Sequence, residues 1–263
     1  MTGTKMGAKA GGDTDALGYR AKMGVLVPAT NTIAQPEYEA MRPRGVTNHV
    51  ARMAPSDRGK VVGDLDAYRK SLERGPDHIK AAIDQVLPCA PDAIVLGHSI
   101  DTFRGGLKGA DALGADLTAH AGGVPVILPS HAFVAALKAL GVGPRIAALT
   151  PYFPPGDEQV VDFFSSAGFE IVDLIGLKCP GPLAIAATPE ADVVAALKRL
   201  AENDVDAIVQ PGTNLATCAL AAQAETWLGK RVLACNTVVY WHALRHLGLS
   251  DQFEGFGPLL SGC

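Results

Sequence analysis

The chain has 263 residues, of which 48% are apolar and 19% are charged. This is a globular composition with an ample core, which excludes disorder over the whole chain. The net charge is −4 and the basic residues form no block, so we expect neither a nucleic-acid partner nor a membrane-binding patch. No apolar run approaches the ~20 residues that a membrane-spanning helix needs.

The five cysteines do not form the pattern of a stabilising framework. Their number is odd, the chain is long and no CxxC pair occurs, which argues against a disulfide scaffold and a structural zinc site. We therefore expect a reducing, cytoplasmic location. Residues 1–21 are polar and lack the apolar stretch of a signal peptide, so we expect them to form a flexible leader.

Short apolar strands alternate with longer helical stretches after this leader. Such an alternation predicts an α/β fold with parallel sheets that are covered by helices on both faces. Ser130 is expected to cap the helix that it begins. In chain order, the predicted strands are 22–30, 92–99, 124–131, 145–152, 169–177, 206–213 and 231–237, and the predicted helices are 66–90 (interrupted at Gly75 and Pro76), 130–141, 157–168, 189–204 and 238–248.

The sequence also repeats itself across its two halves. Three pairs of similar segments occur in the same order: MGVLVPATNT (23–32) with RIAALTPYF (145–153), DAIVLGHS (92–99) with DAIVQPGT (206–213), and VPVILPSHAFVAALKALG (124–141) with KRVLACNTVVYWHALRHLG (230–248). The repeat predicts two pseudo-symmetric α/β domains with the active site in the cleft between them. The predicted domains are 22–131, completed by the C-terminal segment 238–263, and 132–237.

Polar side chains follow most of the predicted strands. Ligands in such folds bind beyond the carboxyl ends of the strands, so these side chains are candidates for the cleft. They are rich in hydroxyls and amides and poor in carboxylates, which suits a small carboxylate or an enolate. In chain order the candidate cleft residues, with two glycines that offer backbone N–H groups, are Thr30, Asn31, Thr32, Gly97, His98, Ser99, Ser130, His131, Thr150, Tyr152, Gly212, Thr213, Asn214, Cys235, Asn236 and Thr237.

Other reactive side chains are interpreted as structural. Cys218 lies in a helix-like run and Cys235 ends an apolar strand, so both are expected in the core. His242 and His246 lie one helical turn apart without a third ligand nearby, which favours a surface face over a metal site. No nucleotide-binding motif occurs.

Five segments resemble a known superfamily when they are taken together. Their order and spacing are similar to those of the aspartate/glutamate racemase superfamily, in the branch of maleate cis–trans isomerases and arylmalonate decarboxylases. The resemblance covers nearly the whole chain beyond residue 22 and implies two pseudo-symmetric domains that work without cofactor or metal. The segments are VPATNTIAQPE (27–37), LGHSIDTFRGG (96–106), LTPY (149–152), PGTNL (211–215) and NTVVYWHALRHLG (236–248).

The resemblance also assigns roles to single residues. Members of the branch use one or two cysteines, one on each domain, and the matching positions here are Gly97 and Gly212. The groups that hold a substrate carboxylate remain, with Tyr152 as the donor to the carboxylate or enediolate. The other residues that the resemblance places against the substrate are Asn31, Gly97, Ser99, Gly212, Thr213 and Asn214. Thr32, at the same strand end as Asn31, is also predicted to bind the substrate.

Another group must then move the proton. His98 is the first candidate for the general acid/base, since an imidazole titrates near neutral pH, and His131 is the second because its loop belongs to the same layer of strand ends. We predict an isomerase or a lyase, such as a decarboxylase, that acts on a small carboxylate or dicarboxylate through an enediolate-like intermediate. The alternatives are a hydrolase or hydratase, with a histidine-activated water in the space that the thiols vacate, and a non-catalytic carboxylate-binding protein. A homo-oligomer is expected.

Overall fold

Two four-stranded parallel sheets follow one another along the chain in this computed structural model, which describes residues 15–54 and 65–263. Both have the same strand order: β2-β1-β3-β4 in the first sheet and β6-β5-β7-β8 in the second. The identical order confirms the predicted pair of similar α/β halves. The strands are β1 (Ala21–Pro28), β2 (Val46–Met53), β3 (Ala93–Leu96), β4 (Val126–Ile127), β5 (Arg145–Thr150), β6 (Glu170–Gly176), β7 (Ala207–Gln210) and β8 (Arg231–Ala234).

Helices connect the strands and cover the sheets. Within the described residues, no helix is both long and apolar enough to cross a membrane. The helices are α1 (Ala34–Ala40), α2 (Leu65–Leu72), α3 (Asp77–Val86), α4 (Gly106–His120), α5 (Pro129–Ala139), α6 (Pro154–Ser166), α7 (Pro182–Ala186), α8 (Glu190–Ala201), α9 (Cys218–Leu228), α10 (Cys235–His246) and α11 (Pro258–Gly262).

The burial of the central strands explains why their continuous apolar runs were recognisable in the sequence. All four residues of β3 and all four of β7 are buried, as expected of strands with helices on both faces. Five elements have no counterpart in the sequence prediction: α1, β2, α4, α7 and α11. Strand β2 pairs with β1 along eight residues at the sheet edge, where Thr47, Asn48 and His49 are half-buried and interrupt the apolar signal.

The end of the chain packs against the first half. Helix α10 contacts α5, α1 and β3, and Arg20 forms an ion pair with Asp251. Residues 1–14 of the predicted leader lie outside the described residues. The exact division of the chain into domains stays a prediction.

The start of α5 corrects the expected role of Ser130. The helix begins one residue earlier, at Pro129, and its N-terminal cap position is Leu128. Ser130 therefore lies inside the first turn, and its buried hydroxyl has no hydrogen-bond partner among the described residues. Proline suits the first helical position because its missing N–H is not needed there.

The two halves are joined through α1. The Asn31 side-chain oxygen accepts the backbone N–H groups of Ile33 (3.0 Å) and Ala34 (2.9 Å) at the start of the helix. Further along α1, one Glu37 oxygen accepts the N–H groups of Thr217 (3.1 Å) and Cys218 (3.0 Å), at the N-terminus of α9. Its other oxygen accepts Nδ2 of Asn236 at 2.6 Å. A carboxylate at a helix N-terminus also satisfies the positive end of the helix dipole.

Candidate active site

A cavity of about 180 Å³ lies between the two sheets, at the carboxyl ends of the central strands β1, β3, β5 and β7. Most of its wall is apolar, and its polar groups come from both halves. The lining residues are Pro28, Ala29, Thr30, Asn31, Met53, Ala54, Tyr68, Leu72, His78, His98, Ser99, Ile100, Pro151, Tyr152, Phe153, Cys179, Pro180, Gly181, Pro182, Ile185, Gly212, Thr213 and Asn214.

Neutral hydrogen-bonding groups meet across the cavity floor. Nδ2 of Asn31, from the first half, lies 3.3 Å from Oγ1 of Thr213, from the second. The Thr213 hydroxyl donates to the carbonyl oxygen of Gly97 at 3.0 Å. Both side chains are buried, so the structure brings these predicted residues together.

A second polar bridge is formed by Ser99 and Tyr152. The Tyr152 hydroxyl donates to the carbonyl oxygen of Pro211 at 2.7 Å and lies 2.8 Å from Oγ of Ser99. Since the phenol has one proton, Ser99 is the donor in the second bond. Burial raises the pKa of Tyr152 well above its ordinary value, so this side chain stays protonated and acts as a hydrogen-bond donor.

Two imidazoles and one carboxylate form the ionisable part of the site. Nε2 of His98 lies 2.9 Å from Oδ2 of Asp101, and Nε2 of His78 lies 3.3 Å from the same oxygen. The three ligand atoms are within 4.8 Å of one another, a grouping that can also hold a metal ion. Whether the site works without a metal, as the resemblance implies, stays a prediction.

Two predicted contacts differ from expectation. The Thr32 side chain is exposed and does not line the cavity, although its N–H donates to Oδ1 of Asn214 at 3.0 Å. Asn214 lines the cavity, but its Nδ2 donates to the carbonyl oxygen of Pro182 at 2.7 Å. The amide of Asn214 thus braces the loops around the site in this structure instead of presenting a free donor.

The two glycines do not leave the room that was expected of them. A Cβ at Gly97 would lie 2.8 Å from Cγ1 of Val27 and 3.0 Å from the Leu26 carbonyl oxygen. A Cβ at Gly212 would lie 2.8 Å from Cδ of Pro151. A side chain at either position would therefore require its neighbours to shift at the first atom, Cβ. Gly97 itself does not line the cavity, whereas Gly212 does.

His131 is the predicted catalytic residue that the structure does not bring to the cavity. Its Nε2 lies 3.0 Å from Oδ1 of Asp111, an exposed residue of α4. It follows the edge strand β4, so its side chain reaches the neighbouring helix. Cys235 and Cys218 are buried as expected, and burial raises the pKa of both thiols well above the ordinary value.

Sequence reasoning did not identify His78, Asp101 or Cys179. His78 lies in the first turn of α3, and Asp101 follows His98 by three residues in a turn of 3-10 helix. Cys179 is a half-buried thiol from the second half, 3.6 Å from Oγ1 of Thr188, and burial raises its pKa. Two features of the sequence could have identified two of them. Asp101 follows His98 at a spacing of three residues, and His78 lies at the start of a helix that leads into β3.

Comparisons with known proteins agree with this architecture. A family model described as arylmalonate decarboxylase matches residues 65–260. A maleate isomerase of Pseudomonas putida is 28% identical over 249 residues, which cover 92% of this chain and 97% of the relative. The chain belongs to the arylmalonate decarboxylase family.

Solved structures show the same fold over almost the whole chain. The Nocardia farcinica maleate cis-trans isomerase, solved with a covalently bound succinylcysteine intermediate, has a TM-score of 0.81 and 25% identity, with coverage of 92% of this chain and 99% of that chain. A maleate isomerase of Pseudomonas putida S16 has a TM-score of 0.81 and 23% identity over 92% and 98% of the two chains. The predicted superfamily and its maleate isomerase and arylmalonate decarboxylase branch are therefore confirmed, as is the prediction of an enzyme of that type.

Proposed function

We propose that this enzyme isomerises or decarboxylates a small carboxylate through an enediolate-like intermediate, without a cofactor, and that His98 moves the proton. The observation that carries the proposal is the pairing of two kinds of group in one cavity. Neutral donors from both halves converge on its floor, and an imidazole fixed by a buried carboxylate lies in its wall. The first kind suits an oxyanion and the second suits proton transfer.

The substrate carboxylate would be held by neutral donors. Among the described lining residues there is no lysine or arginine, so charge is stabilised by hydrogen bonds from Asn31, Ser99, Tyr152 and Thr213. In this structure Asn31 donates to Thr213 and Ser99 donates to Tyr152. The hydroxyls of Thr213 and Tyr152 in turn donate to the carbonyl oxygens of Gly97 and Pro211. A carboxylate would redirect their protons toward itself, with each well-placed donor worth about 3–4 kcal/mol to an enediolate.

The proton steps balance with a single imidazole. In a decarboxylation, the bond to the leaving carboxylate breaks, its electron pair enters the remaining carboxylate to form the enediolate, and CO₂ departs. Protonated His98 then donates its proton to the α-carbon. In an isomerisation of an unsaturated carboxylate, neutral His98 removes the α-proton to form the enediolate and returns it to the γ-carbon, so that the double bond moves by one position.

The apolar walls of the cavity favour a substrate with an apolar part. Met53, Leu72, Ile100, Phe153 and Ile185 line the cavity, so a carboxylate that carries an apolar substituent fits its chemistry. Because the relatives are named as maleate isomerases and the family as arylmalonate decarboxylases, both compound classes belong in the first assay.

The hydrolase and hydratase alternative loses its structural basis. It required a water in the space left by two thiols, but neighbouring atoms crowd the Cβ position at Gly97 and Gly212, and Gly97 does not line the cavity. A non-catalytic carboxylate-binding protein does not agree with membership of a family of enzymes.

The test is proton NMR of the purified enzyme in D₂O with maleate, aryl- and alkylmalonates, amino-acid enantiomers, and small unsaturated lactones and amides. We expect deuterium at an α-carbon or loss of CO₂ with at least one compound. His98→Gln should abolish that signal, and His131→Gln is the matched control that should keep it. Water addition or ring opening without exchange would contradict the proposal, and so would silence across the whole panel.

A further inference from the structure

The cavity holds a second imidazole that the proposed reaction has not used. His78 lines the cavity together with His98, and the two rings lie edge to face with centroids 6.1 Å apart. Their side chains are 21% and 15% exposed, so both can meet a ligand in the cavity. The Asp101 side chain is only 3% exposed. A buried carboxylate needs donors or positive charge around it, and the two imidazoles provide them.

The geometry fixes which ring nitrogens serve the carboxylate. Both Nε2 atoms approach the same oxygen, Oδ2 of Asp101, at 2.9 Å from His98 and 3.3 Å from His78. An ionised carboxylate can only accept hydrogen bonds, so each neutral ring carries its proton on Nε2 when it donates to Asp101. Nδ1 is then the basic nitrogen of each neutral ring.

Charge explains why two imidazoles share one carboxylate. With both rings neutral the group has a charge of −1, and with one ring protonated it is neutral. A proton on either ring therefore gives the same total charge, which makes the two rings alternative carriers of one proton.

We propose that His78, Asp101 and His98 act as one proton-transferring unit, in which Asp101 positions both rings and His78 is the second acid/base residue. This inference rests on the proposed function for its catalytic part. Both imidazoles come from the first half, through α3 and the loop after β3. Proton removal and return therefore take place at one face of the substrate, so that a chiral product forms as a single enantiomer.

The first test requires no substrate. The protein is labelled with ¹⁵N-histidine, and long-range ¹H–¹⁵N spectra report which nitrogen of each ring carries the proton. We expect His78 and His98 both to be protonated on Nε2, and Asp101→Asn to change the spectra of both rings. The matched control is Asp84→Asn, which removes the partner of His120 in an exposed pair of the same 2.9 Å length. It should change His120 alone.

The shared carboxylate also predicts mutual effects between the rings. His78→Gln should shift the ring signals of His98, and His98→Gln those of His78. An Asp101→Asn spectrum in which only His98 changes would overturn the proposal. Zinc titration of the metal-free protein is the second check, because saturable binding that shifts these same rings would show a metal site instead.

The second test measures turnover of whichever compound reacts. His78→Gln should lower kcat about 10²-fold, at the lower end of what a positioned acid/base group contributes, with little change in KM. The product should remain a single enantiomer in the wild type and in Cys179→Ser, which removes the cavity thiol of the other half. Full activity of His78→Gln, or a racemic product, would overturn the inference. If no compound reacts, the proposed function fails, while the spectra still decide whether the unit exists.

Discussion

His98 and His131 occupy similar places in the sequence and different places in the molecule. Each follows a buried strand of the first sheet, and each has Nε2 within 3.0 Å of an aspartate oxygen. His98 lines the cavity beside a buried carboxylate, whereas His131 pairs with an exposed one on a helix.

The difference comes from strand position. His98 follows β3, an interior strand of the order β2-β1-β3-β4, and His131 follows β4 at the edge. The second sheet repeats this rule, since its interior strands β5 and β7 lead to Tyr152 and Thr213 at the cavity. In both sheets the interior strands lead to hydrogen-bonding groups at the cavity. The histidine that follows the edge strand β4 contacts a helix instead.

The prediction with the largest expected effect replaces each of the two histidines singly by glutamine. His98→Gln should lower kcat/KM by about 10²–10⁴-fold, the range that a positioned acid/base group supplies. His131→Gln should leave it within about twofold, because an exposed ion pair contributes little. Steady-state kinetics on a compound found by NMR measure both, and equal losses would show that strand position does not separate the two residues.

Tyrosines allow the same comparison in the second half. Tyr152→Phe removes the phenol beside Ser99 and should lower kcat by about 10²–10³-fold, as for one lost oxyanion donor. Tyr240→Phe removes the hydroxyl that donates to Asn48, on the helix after the edge strand β8. It should change the melting temperature but not the rate. Unchanged kcat in Tyr152→Phe would show that the phenol does not contact the reacting carboxylate.

A buried carboxyl near the end of β5 predicts a pH effect on stability. Asp157 accepts the Thr150 hydroxyl, and burial is the main cause that raises its pKa from 3.8 to about 6. The folded state therefore binds the proton more tightly than the unfolded state, so stability falls as the pH rises from about 4 through 6, by up to roughly 3 kcal/mol.

Asp157→Asn should remove that loss. Urea denaturation is expected to give a larger free energy of unfolding than the wild type at pH 8 and a similar one at pH 4. Asp116→Asn, on the exposed side of α4, is the control that should not change the pH profile. A wild type that gains stability from pH 4 to 6 relative to Asp157→Asn would contradict the assignment.

The smallest expected effect concerns the glycine that follows β3. Gly97→Cys should lower the free energy of unfolding by about 1–3 kcal/mol, the usual cost of overpacking, because its Cβ meets Val27 and the Leu26 carbonyl. Gly75→Cys adds the same side chain where no atom lies within 4 Å and should cost less. A Gly97→Cys protein as stable as Gly75→Cys would show that the position accepts a thiol without rearrangement.

Much of the fold was predictable because the buried strands of the two sheets appear in the sequence as continuous apolar runs. The similar segments around β3 and β7 and the buried strands β1 and β5 predicted both the repeat and the cleft. Edge strand β2 was missed because it mixes polar and apolar residues. Ser130 was misassigned as a cap because Pro129 already begins the helix.

The site was predictable only where it follows the ends of interior strands. Asn31, His98, Ser99, Tyr152 and Thr213 meet this condition, and the structure brings them together. His78 does not, because it reaches the cavity from α3. That helix runs back across the sheet, so its first turn lies at the edge where the strands end. Sequence spacing alone does not contain this contact, which requires the packing of α3 on β1 and β2.

Glu37 has a consequence for the order of folding. Its carboxylate joins residues that are 180, 181 and 199 positions away in the chain, and contacts of such long range form late because of their loop-closure entropy. The loop with Thr213 and Asn214 therefore takes its shape only after both halves have been made and docked. A chain that ends before Asn236 lacks the amide that bridges Glu37 and the Thr213 carbonyl oxygen, so we expect it to bind ligand less tightly than the intact chain.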